Sequence, residues 1–515
     1  MIRRALLLAV AALLAKIAQL LVVWKRNHDL LLKSGLPTSS QSEFNSPFGS
    51  FFAFVKNLDR IYDFKVERQQ GLSPPALTYT IASPFFNPGP AVGTVDPVVV
   101  KHFLRDRFDI YVKSKVVTRS LQELVGNGLF GIDHGPYSED GGASWTLQRK
   151  TASKVFTNNN FNTKMFSSFA KHALIVGQVL DERLKQQNGK AKIELQEIMF
   201  QYTLDSIGEV GFGVELHSLT KPLAFSQAFD RAQEICMLRF SSPFWYTWWG
   251  RWFYRTEREL PSQLKTMNDF MAQIIQQKRQ SKIQEDDILS LFIQEKLGLT
   301  DEELRDVVFT FMIAGRDTTA CTLSFTLLLL AKHPHWQQTL LNEIQQFRQQ
   351  QDERCEDKVL SSKQLAGLKN VQAVIMESLR LYPPVPTDVK ESCEDDVLPG
   401  GFAIPKGTRI AFEPYMMART PQIWGEDCLE FKPERWLEMK TLPSPYTFPV
   451  FQAGPRICLG ESMAKFEAEL MLVFLVERYE FALPQGVPVE SLTYQPGITL
   501  KVKNGLWLDV KKRNE

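Results

Sequence analysis

One cysteine, Cys458, lies in the loop "FQAGPRICLG" (451–460), and this loop constrains the chain more than any other segment. Gly454 and Gly460 flank the thiol, and glycine permits positive φ and a close approach of the backbone. Backbone N–H groups, the nearby Arg456 and the helical pattern that starts after Gly460 all favour the thiolate over the thiol. Neither simple core packing nor a disulfide needs such neighbours. The loop therefore predicts a single thiolate ligand to a large metal-containing group, since further zinc ligands are absent nearby.

The composition is that of a large globular protein. The chain has 515 residues, of which 44% are hydrophobic and 36 are Phe. Lys and Arg number 60 against 58 Asp and Glu, so the formal charge is +2 and no general basic surface for nucleic acid is expected. The six cysteines lie far apart without a CxxC pair, which favours a reducing, cytosol-facing compartment.

A membrane anchor is predicted at the N-terminus. The run Ala5–Trp24 is apolar apart from one lysine and one glutamine and lies between basic pairs, and about 20 such residues span a bilayer. A signal-peptide core and an organelle transit peptide are the alternatives for the same run. We expect an anchor over 1–26, a polar linker with Pro and Gly over 27–50, and one domain over 51–515.

The strongest helical signal starts at "TDEEL". Thr300 and Glu303 form a capping-box pattern, the sequence stays apolar to Leu330, and Pro334 ends the helix. Helical patterns dominate the chain and strand-like pieces are few, so the fold class is mainly α with minor β. In the middle of this helix, "AGRDTTA" places glycine, acid and hydroxyls where a buried helix packs apolar side chains. We interpret these letters as a kink beside a functional site, the alternative being a surface turn.

Taken together, these features resemble the cytochrome P450 superfamily. A single thiolate such as Cys458 suits haem iron, because the porphyrin supplies the equatorial ligands. "AGRDTT" (314–319) matches the family's oxygen-activating segment. The other matches, in the family's order, are Trp145 and Arg149 of "WTLQR", Glu377 and Arg380 of "ESLR", Arg435 of "PERW", and the loop residues Phe451, Gly454, Arg456, Cys458 and Gly460. The resemblance implies the cytochrome P450 fold, a helical haem domain with small β-sheets.

The resemblance implies a role for each residue near the reaction. Cys458 would be the axial ligand of the haem iron and would donate electron density that helps to cleave the O–O bond, with Phe451 limiting water at the sulfur. Thr318 would hydrogen-bond dioxygen and Asp317 would pass protons towards it. Gly315 would let the helix open locally. A structural clamp behind the haem, without a catalytic role, would consist of Glu377, Arg380 and Arg435.

The resemblance also implies the residues that hold cofactor and substrate. The anionic haem propionates would contact four side chains, Trp145, Arg149, Lys390 and Arg456. Ala314 stands where animal omega-hydroxylases often carry a glutamate that esterifies the haem, so haem b is expected to be bound without such an ester. One face of the central helix and two later segments would line the substrate pocket, with Thr310, Ile313, Ala314, Val385, Thr387 and Ile498.

The finer resemblance is to the plant and fungal long-chain fatty acid omega-hydroxylases. It is carried by "LQELVGNGLFGID" (121–133), "RLYPPVPTDVKES" and "IWGEDCLEFKPERWL", with a departure at Glu461, where plant members usually have a basic residue. It implies insertion of one oxygen atom of O2 into a C–H bond at or near the end of a fatty acid. The open alternatives are a sterol or aromatic monooxygenase, a peroxide-consuming haem-thiolate isomerase or dehydratase, and a non-catalytic haem or lipid binder.

The sequence contains no flavin or nicotinamide fingerprint. Electrons from NADPH would therefore come through NADPH–cytochrome P450 reductase, for which Arg149, Lys150, Lys154 and Lys465 would form a basic docking patch. The segment "RFSSPFWYTWWGRWFYR" (239–255), with Arg239, Arg251 and Arg255, is interpreted as an interfacial aromatic belt, the alternative being a core cluster. We expect a single-pass protein of the endoplasmic reticulum membrane whose catalytic domain faces the cytosol. Its partners would be membrane lipid and a lipophilic small molecule, with no nucleic acid.

Overall fold

The computed structural model describes residues 2–73, 75–156, 164–187, 189–280, 287–294, 298–350, 359–486 and 493–513. The predicted fold class is confirmed, because helices dominate and the strands are short. The α-helices of these residues are α1 Ile2–Leu32, α2 Gln41–Phe44, α3 Phe51–Lys56, α4 Ile61–Gln70, α5 Pro97–Lys101, α6 Lys115–Val125, α7 Ala143–Ser153, α8 Phe166–Lys185, α9 Leu195–Phe212, α10 Ala224–Leu238, α11 Trp248–Phe253, α12 Arg255–Gln280, α13 Ile288–Gln294, α14 Asp301–Met312, α15 Thr318–Lys332, α16 Pro334–Gln350, α17 Ser362–Leu365, α18 Lys369–Leu381, α19 Pro414–Met417, α20 Pro421–Trp424, α21 Glu434–Glu438 and α22 Glu461–Arg478.

The central helix of the core consists of α14, a π-helical turn over Ile313–Asp317, and α15. The predicted capping box is present, because Glu303 N donates to Thr300 Oγ1 and the Glu303 carboxylate accepts from Thr300 N at 2.8 Å. The π-helical turn lies where the sequence predicts a kink, and such turns are frequent at functional sites. Packing also requires Gly315 here, since a Cβ at this position would lie 2.7 Å from Ile207 Cδ1 of α9.

The strands of the described residues form small sheets at the edge of the helical body. They are β1 Thr78–Ile81, β2 Ala91–Thr94, β3 Tyr111–Lys113, β4 Lys190–Glu194, β5 Asp388–Ser392, β6 Asp396–Leu398, β7 Phe402–Ile404, β8 Arg409–Phe412, β9 Tyr479–Ala482, β10 Tyr494–Gln495, β11 Lys501–Val502 and β12 Trp507–Lys512. The largest sheet has the order β1-β2-β8-β5-β3, in which β2 and β8 are parallel and the other neighbours antiparallel. A second sheet has the order β4-β12-β9, and β6-β7 and β10-β11 form hairpin-like pairs.

The N-terminal helix is longer than the predicted anchor. α1 continues past residue 26 to Leu32. Its last turns contact the domain, because Trp24 Nε1 donates to Ser83 O at 2.8 Å and Asn27 Nδ2 donates to Pro88 O at 2.8 Å. The side chains of residues 1–10, 12 and 13, on which part of the anchor prediction rests, lie outside the described residues. In the part of the chain that is described, no helix has both the length and the apolar content needed to span a bilayer.

The segment 27–50, which the sequence predicts as a polar linker, contains the end of α1 and the short helix α2. Leu31, Leu36 and Phe44 are buried, whereas Phe48 is exposed. The Phe44 ring lies 4.8 Å from the ring of the buried His28. Some of the apolar residues of the segment therefore pack onto the domain. The division of the chain at residues 26 and 50 stays a prediction.

The aromatic segment 239–255 divides into a buried and an exposed part. Arg239 and Trp245 are buried, contrary to their assignment to an exposed belt. The Arg239 guanidinium pairs with Glu257 at 2.8 Å and Glu123 at 2.6 Å and lies 3.9 Å from the Trp245 ring centroid. Phe240 and Tyr246 are exposed before α11, and four further exposed rings lie on α11 itself. The four on α11 are called the aromatic patch here; its members are Trp248, Trp249, Trp252 and Phe253, with exposed fractions of 84%, 42%, 73% and 71%.

Candidate active site

Main-chain contacts shape the loop of Cys458. Cys458 N donates to Phe451 O at 2.8 Å, which closes the loop on itself. Gly454 has φ +65°, and a Cβ there would lie 2.1 Å from Leu104 O, so this close approach requires glycine. Of the cysteines in the described residues, Cys458 alone is exposed. The loop therefore presents the sulfur rather than packing it.

The surroundings of Cys458 act on its ionisation in opposite directions. The enclosing protein raises the pKa of the thiol, the Gly460 N–H lowers it, the Glu461 carboxylate raises it and the Arg149 guanidinium lowers it, with a net increase. The predicted backbone N–H acts in favour of the thiolate, but the cation that acts is Arg149 rather than the predicted Arg456, and desolvation outweighs both. Coordination to a metal deprotonates a thiol outright, so the residue fits an iron ligand in either case.

Arg456 lies at the centre of a polar and aromatic cluster beside the loop. Its Nη2 donates to Asp133 Oδ1 at 3.1 Å and to His134 Nδ1 at 2.7 Å. Its guanidinium carbon lies 5.0 Å from the Trp145 ring centroid, and that of Arg149 lies 5.7 Å from the same ring. Arg149 also donates to the carbonyl of the residue before Cys458, at 2.5 Å. The four-residue spacing on α7 therefore brings Trp145 and Arg149 to the loop.

Two lysines face each other across the ladder of β3 and β5. Lys113 and Lys390 are register partners, an arrangement that is unfavourable for like charges. Lys390 Nζ pairs with Asp388 Oδ2 at 2.6 Å, and Lys113 Nζ donates to two main-chain carbonyls at 2.8 and 2.7 Å. Burial, and after it the charge of Arg456, lowers the pKa of Lys113 well below its usual range. This shift favours the neutral form of Lys113, so the positive charge beside Arg456 comes from Arg149 and Lys390.

This concentration of charge fits an anionic cofactor. The cationic side chains Arg149, Arg456 and Lys390 are accompanied by two carboxylates, Asp133 and Asp388. Within the described residues, three buried polar atoms of this region lack a partner, namely Thr387 Oγ1, Gln452 Oε1 and Arg456 Nε. The two propionates of a haem would neutralise the excess and accept hydrogen bonds from Thr387 Oγ1 and Arg456 Nε, whereas Gln452 Oε1 is itself an acceptor. With the accessible thiol of Cys458 beside them, the residues present fit a haem.

The π-helical turn presents a small apolar side chain and a hydroxyl. Ala314 and Thr318 are half-buried, whereas Asp317 is fully buried. Thr318 Oγ1 donates to Ala314 O at 2.6 Å, so its lone pairs stay available to accept a hydrogen bond. Asp317 Oδ1 accepts from Arg316 at 2.9 Å, and its Oδ2 has no partner in the part of the chain that is described. Burial raises the pKa of Asp317 against the effect of Arg316, which favours retention of a proton.

Two of the predicted pocket residues are enclosed by protein. Thr310 and Ile313 are buried, with exposed fractions of 1% and 3%. A Cβ on Gly128 would lie 2.1 Å from Thr310 Oγ1, so the loop after α6 packs directly on this hydroxyl. Asp306 Oδ2 accepts from Asn127 N at 2.8 Å and fixes the same loop to the central helix. Thr310 therefore lies behind this loop, and the face of α14 is covered one turn before Ala314.

The other predicted pocket residues keep accessible surface. Val385 is 37% exposed, and Thr387 and Ile498 are half-buried. Leu500 N donates to Pro384 O at 2.9 Å, which brings the segment of Ile498 beside that of Val385. The structure thus unites two segments that lie more than one hundred residues apart in the chain, as the sequence analysis expected.

The predicted clamp is a closed network around one carboxylate. Glu377 is fully buried and pairs with Arg380 at 2.8 Å and Arg435 at 3.0 Å. It also accepts from Trp436 Nε1 at 2.9 Å and from Lys432 N at 3.0 Å. Arg380 in turn donates to three main-chain carbonyls, those of Ala418, Cys428 and Glu430. The network joins α18 to α21 and to the turns between them.

Sequence analysis missed three groups near the site. Lys113 belongs to no motif and is recognised only through its register with Lys390. Asp388 follows "LYPPVPT" and has no spacing signal, although its carboxylate also accepts from Gln452 Nε2 at 2.7 Å. Glu467 lies on α22 among other charged residues such as Lys465 and Glu469, so its burial has no sequence signal. It is 1% exposed, and its carboxyl lies beside the hydroxyls of Ser206 and Thr319.

Glu467 makes the stability of the fold depend on pH. Burial raises its pKa from 4.5 to about 8, so its neutral form is the one that the fold accommodates. Stability is therefore complete below about pH 4.5 and falls as the pH rises towards 8. Glu467→Gln, which is always neutral, should gain stability relative to the native chain by up to about 1.4 kcal/mol per pH unit over that window. Denaturant unfolding at several pH values measures the difference, with the exposed Glu480→Gln as the control for loss of one charge. A difference that does not change with pH would contradict the prediction.

A thiol loop, an excess of positive charge beside it, and a half-buried hydroxyl on a π-helical turn define a haem-thiolate site. The sequence profile described as Cytochrome P450 matches residues 84–508. The chain is 32% identical over 497 residues to cytochrome P450 704C1 of Pinus taeda, covering 90% of this chain and 92% of the relative. It is 32% identical to cytochrome P450 704B1 of Arabidopsis thaliana and 30% identical to cytochrome P450 94A1 of Vicia sativa, over 90% of this chain and 94% and 89% of the relatives. The chain belongs to the cytochrome P450 family and is a cytochrome P450 monooxygenase.

Proposed function

We propose that this monooxygenase hydroxylates long-chain fatty acids at or near the terminal carbon. The observation that carries the proposal is the character of the accessible side chains, since Ala314, Val385 and Ile498 are aliphatic. The loop after α6 closes the pocket over Thr310, and the charges of Arg316 and Asp317 are buried. A terminal methyl has a stronger C–H bond than internal positions, so its oxidation is a problem of positioning. The resemblance of three segments to fatty acid omega-hydroxylases supports the same substrate class.

The reaction converts a C–H bond, O2, NADPH and a proton into an alcohol, water and NADP⁺. Haem b, when bound, supplies the activation of dioxygen. Cys458 would coordinate the iron, with Phe451, Gly454 and Gly460 shaping its loop. Thr318 Oγ1, whose proton is donated to Ala314 O, would accept a hydrogen bond beside the dioxygen site, and Asp317 would hold the proton that is delivered. The clamp around Glu377 would keep the helices behind the haem in place.

The cluster around Arg456 would bind the haem propionates. Arg149, Arg456 and Lys390 are the predicted contacts, and the register with Lys390 adds Lys113 to them. Trp145 would support the two arginines through its ring. Ala314 offers no carboxylate for an ester to the haem, so the cofactor would be held by coordination, ion pairs and packing.

Electrons would come from NADPH–cytochrome P450 reductase. Lys150 is exposed on α7, the helix that also carries Arg149, and Lys154 is exposed directly after the end of this helix. Lys465 pairs with Glu461 at 2.6 Å, which reduces its share in a basic docking surface. A patch of Lys150 and Lys154 next to Arg149 is therefore the core of the proposed docking surface for an acidic partner.

We infer that the protein is attached to the endoplasmic reticulum membrane with its catalytic domain in the cytosol. The apolar run Ala5–Trp24 between basic pairs supports a single span, and the aromatic patch supports a second contact with lipid. Trp and Phe side chains with polar neighbours are typical of membrane interfaces.

Replacement of the most exposed tryptophans should remove this lipid contact. In the full-length protein on vesicles, brominated lipids should quench part of the tryptophan fluorescence, and Trp248→Ser with Trp252→Ser should lower the quenchable share. The exposed Trp507 on β12 gives the matched control, since Trp507→Ser should leave that share unchanged. Equal quenching in the native protein, in the double variant at Trp248 and Trp252, and in Trp507→Ser would contradict a contact between the aromatic patch and lipid.

The experiment that tests the proposed function is turnover by the purified holoenzyme with reductase and NADPH. A set of saturated and unsaturated fatty acids should give terminal or near-terminal hydroxy acids, identified by mass spectrometry. Product should require NADPH and should fall strongly in Thr318→Ala. If sterols or aromatic compounds are oxidised and fatty acids are not, the substrate class is wrong although the monooxygenase assignment stands. Conversion of a lipid peroxide without NADPH would instead support the isomerase or dehydratase.

A further inference from the structure

A buried charge network links the central helix to α10 and β11. Arg316 Nη1 donates to Asp317 Oδ1 at 2.9 Å and to Asp230 Oδ1 at 2.8 Å, and its Nη2 donates to Asp230 Oδ2 at 2.9 Å. Lys501 Nζ contacts the same Asp230 Oδ1 at 3.1 Å. One guanidinium thus bridges two carboxylates, and Asp230 lies between two cations.

Aromatic rings fix the position of Arg316. Its guanidinium carbon lies 4.8 Å from the Phe200 ring centroid and 5.6 Å from that of Phe229, and the residue is 1% exposed. Lys501 Nζ lies 4.5 Å from the same Phe200 ring. Because the rings confine both cations, Arg316 cannot turn away into solvent. Removal of the Asp230 charge therefore changes the electrostatic potential at the Asp317 carboxyl.

The two acids of the network differ in accessibility. Asp317 is fully buried, whereas 39% of the Asp230 side chain and 27% of the Lys501 side chain are accessible. Burial would raise the pKa of Asp230, but Arg316 and Lys501 lower it overall, so Asp230 carries a permanent negative charge. The charged or polar groups that act on Asp317 are Arg316, Lys501, Asp230 and Gln233, from the central helix, β11 and α10.

We propose that Asp230 and Lys501 are positioning residues that set the charge of the Asp317 carboxyl, with Arg316 as the shared contact. Asp230 holds Arg316 with two hydrogen bonds, Ser226 Oγ accepts a further one at 3.2 Å, and Asp317 Oδ1 accepts one from Nη1. Asp317 Oδ2 has no partner among the described residues. Asp230 also repels a second negative charge nearby, which favours the protonated form of Asp317. Lys501 acts in the opposite direction and limits that effect. The inference deepens the proposed function, because it rests on proton delivery by Asp317.

The two positioning residues should therefore respond with opposite signs. Asp230→Asn removes the negative charge that repels an ionised Asp317, and Asp317 is then the remaining carboxylate partner of Arg316. The Asp317 carboxyl should therefore ionise at a pH lower by about one unit. Lys501→Met removes a cation and should raise that pH by about the same amount. Asp230→Glu keeps the charge and should retain most of the native behaviour. Glu234→Gln, on the exposed side of α10 with Arg231 as its partner, is the matched control.

Infrared titration of the resting holoenzyme measures the ionisation directly. The carboxyl C=O band of Asp317 is identified by its loss in Asp317→Asn, and its midpoint is followed in each variant. In parallel, the pH profile of kcat and the share of NADPH converted into product are measured. Opposite shifts of the midpoint in Asp230→Asn and Lys501→Met, with matching shifts of the pH profile, support the proposal. Shifts in the same direction, or none, overturn it.

The same measurements distinguish a wrong role for Asp317 in proton delivery from a wrong role for Asp230 and Lys501 in setting its charge. If Asp317→Asn leaves the share of NADPH converted into product unchanged, the proposed role of Asp317 is wrong. The infrared midpoints still decide whether Asp230 and Lys501 control its charge. If Asp230→Asn yields no folded protein, Lys501→Met and Asp230→Glu decide the outcome, since a raised midpoint in the first and a native midpoint in the second are both required.

Discussion

Replacement of Cys458 by serine should abolish oxygenation and remove the spectral signature of a thiolate-bound haem. Among the cysteines that the structure describes, Cys458 is the exposed one. Its loop approaches Leu104 closely, which glycine at position 454 allows. A serine hydroxyl is a much weaker donor to iron and remains protonated, so the electron donation that assists O–O cleavage is lost. The carbon-monoxide difference spectrum of the reduced protein and turnover with reductase should both change, with activity falling to the background of the assay.

The control for this variant is Cys393→Ser. Cys393 is half-buried, and its replacement changes one thiol in the same way at a place outside the loop. It should keep the thiolate spectrum and most of the activity. A Cys458→Ser protein that still showed the thiolate band would require another cysteine as ligand and would contradict the assignment of the site.

Replacement of Glu377 by glutamine should cost more stability than any other single change considered for this protein. Glu377 is fully buried and is the carboxylate paired with Arg380, whereas Arg435 also pairs with Asp427 at 3.2 Å, so loss of the Glu377 charge leaves the fully buried Arg380 without its counter-charge. Removal of one partner of a buried ion pair costs about 3–5 kcal/mol, against a total stability of about 5–15 kcal/mol for a folded domain. We expect a sharply lower denaturation midpoint and a low haem content, measured by denaturant unfolding and by haem extraction.

Glu434→Gln provides the comparison for Glu377→Gln. Glu434 is exposed at the start of α21, one residue before Arg435 in the chain. Its replacement should alter the free energy of unfolding by less than about 0.5 kcal/mol, as is usual for surface positions. If Glu377→Gln behaved like Glu434→Gln, the network would not contribute to the stability of the fold.

The sequence predicted those parts of the site that lie within short motifs. The loop of Cys458, the π-helical turn at Gly315 and the pair Glu377 and Arg380 are each local, because spacing on a loop or one helical turn brings their members together. The mainly helical class follows from periodicity in the same way.

Long-range arrangement explains what the sequence did not predict. Lys113 reaches the cluster because β3 pairs with β5, a register that no motif specifies. Arg239 lies in an aromatic run that reads as surface, yet Glu123 of α6 and Glu257 of α12 hold it inside. Thr310 shares the helical face of Ala314, but a distant loop covers it. In each case the deciding neighbour is far away in the chain, so composition and periodicity carry no information about it.

The contact between Gly315 and Ile207 has a consequence for the evolution of the family. A Cβ at position 315 would lie 2.7 Å from Ile207 Cδ1 and 2.9 Å from its Cγ1, so the two residues share one volume. An alanine at 315 therefore requires the end of the Ile207 side chain to move or a smaller residue at position 207. The two positions should therefore vary together among relatives, although they lie on different helices and neither one takes part in the chemistry.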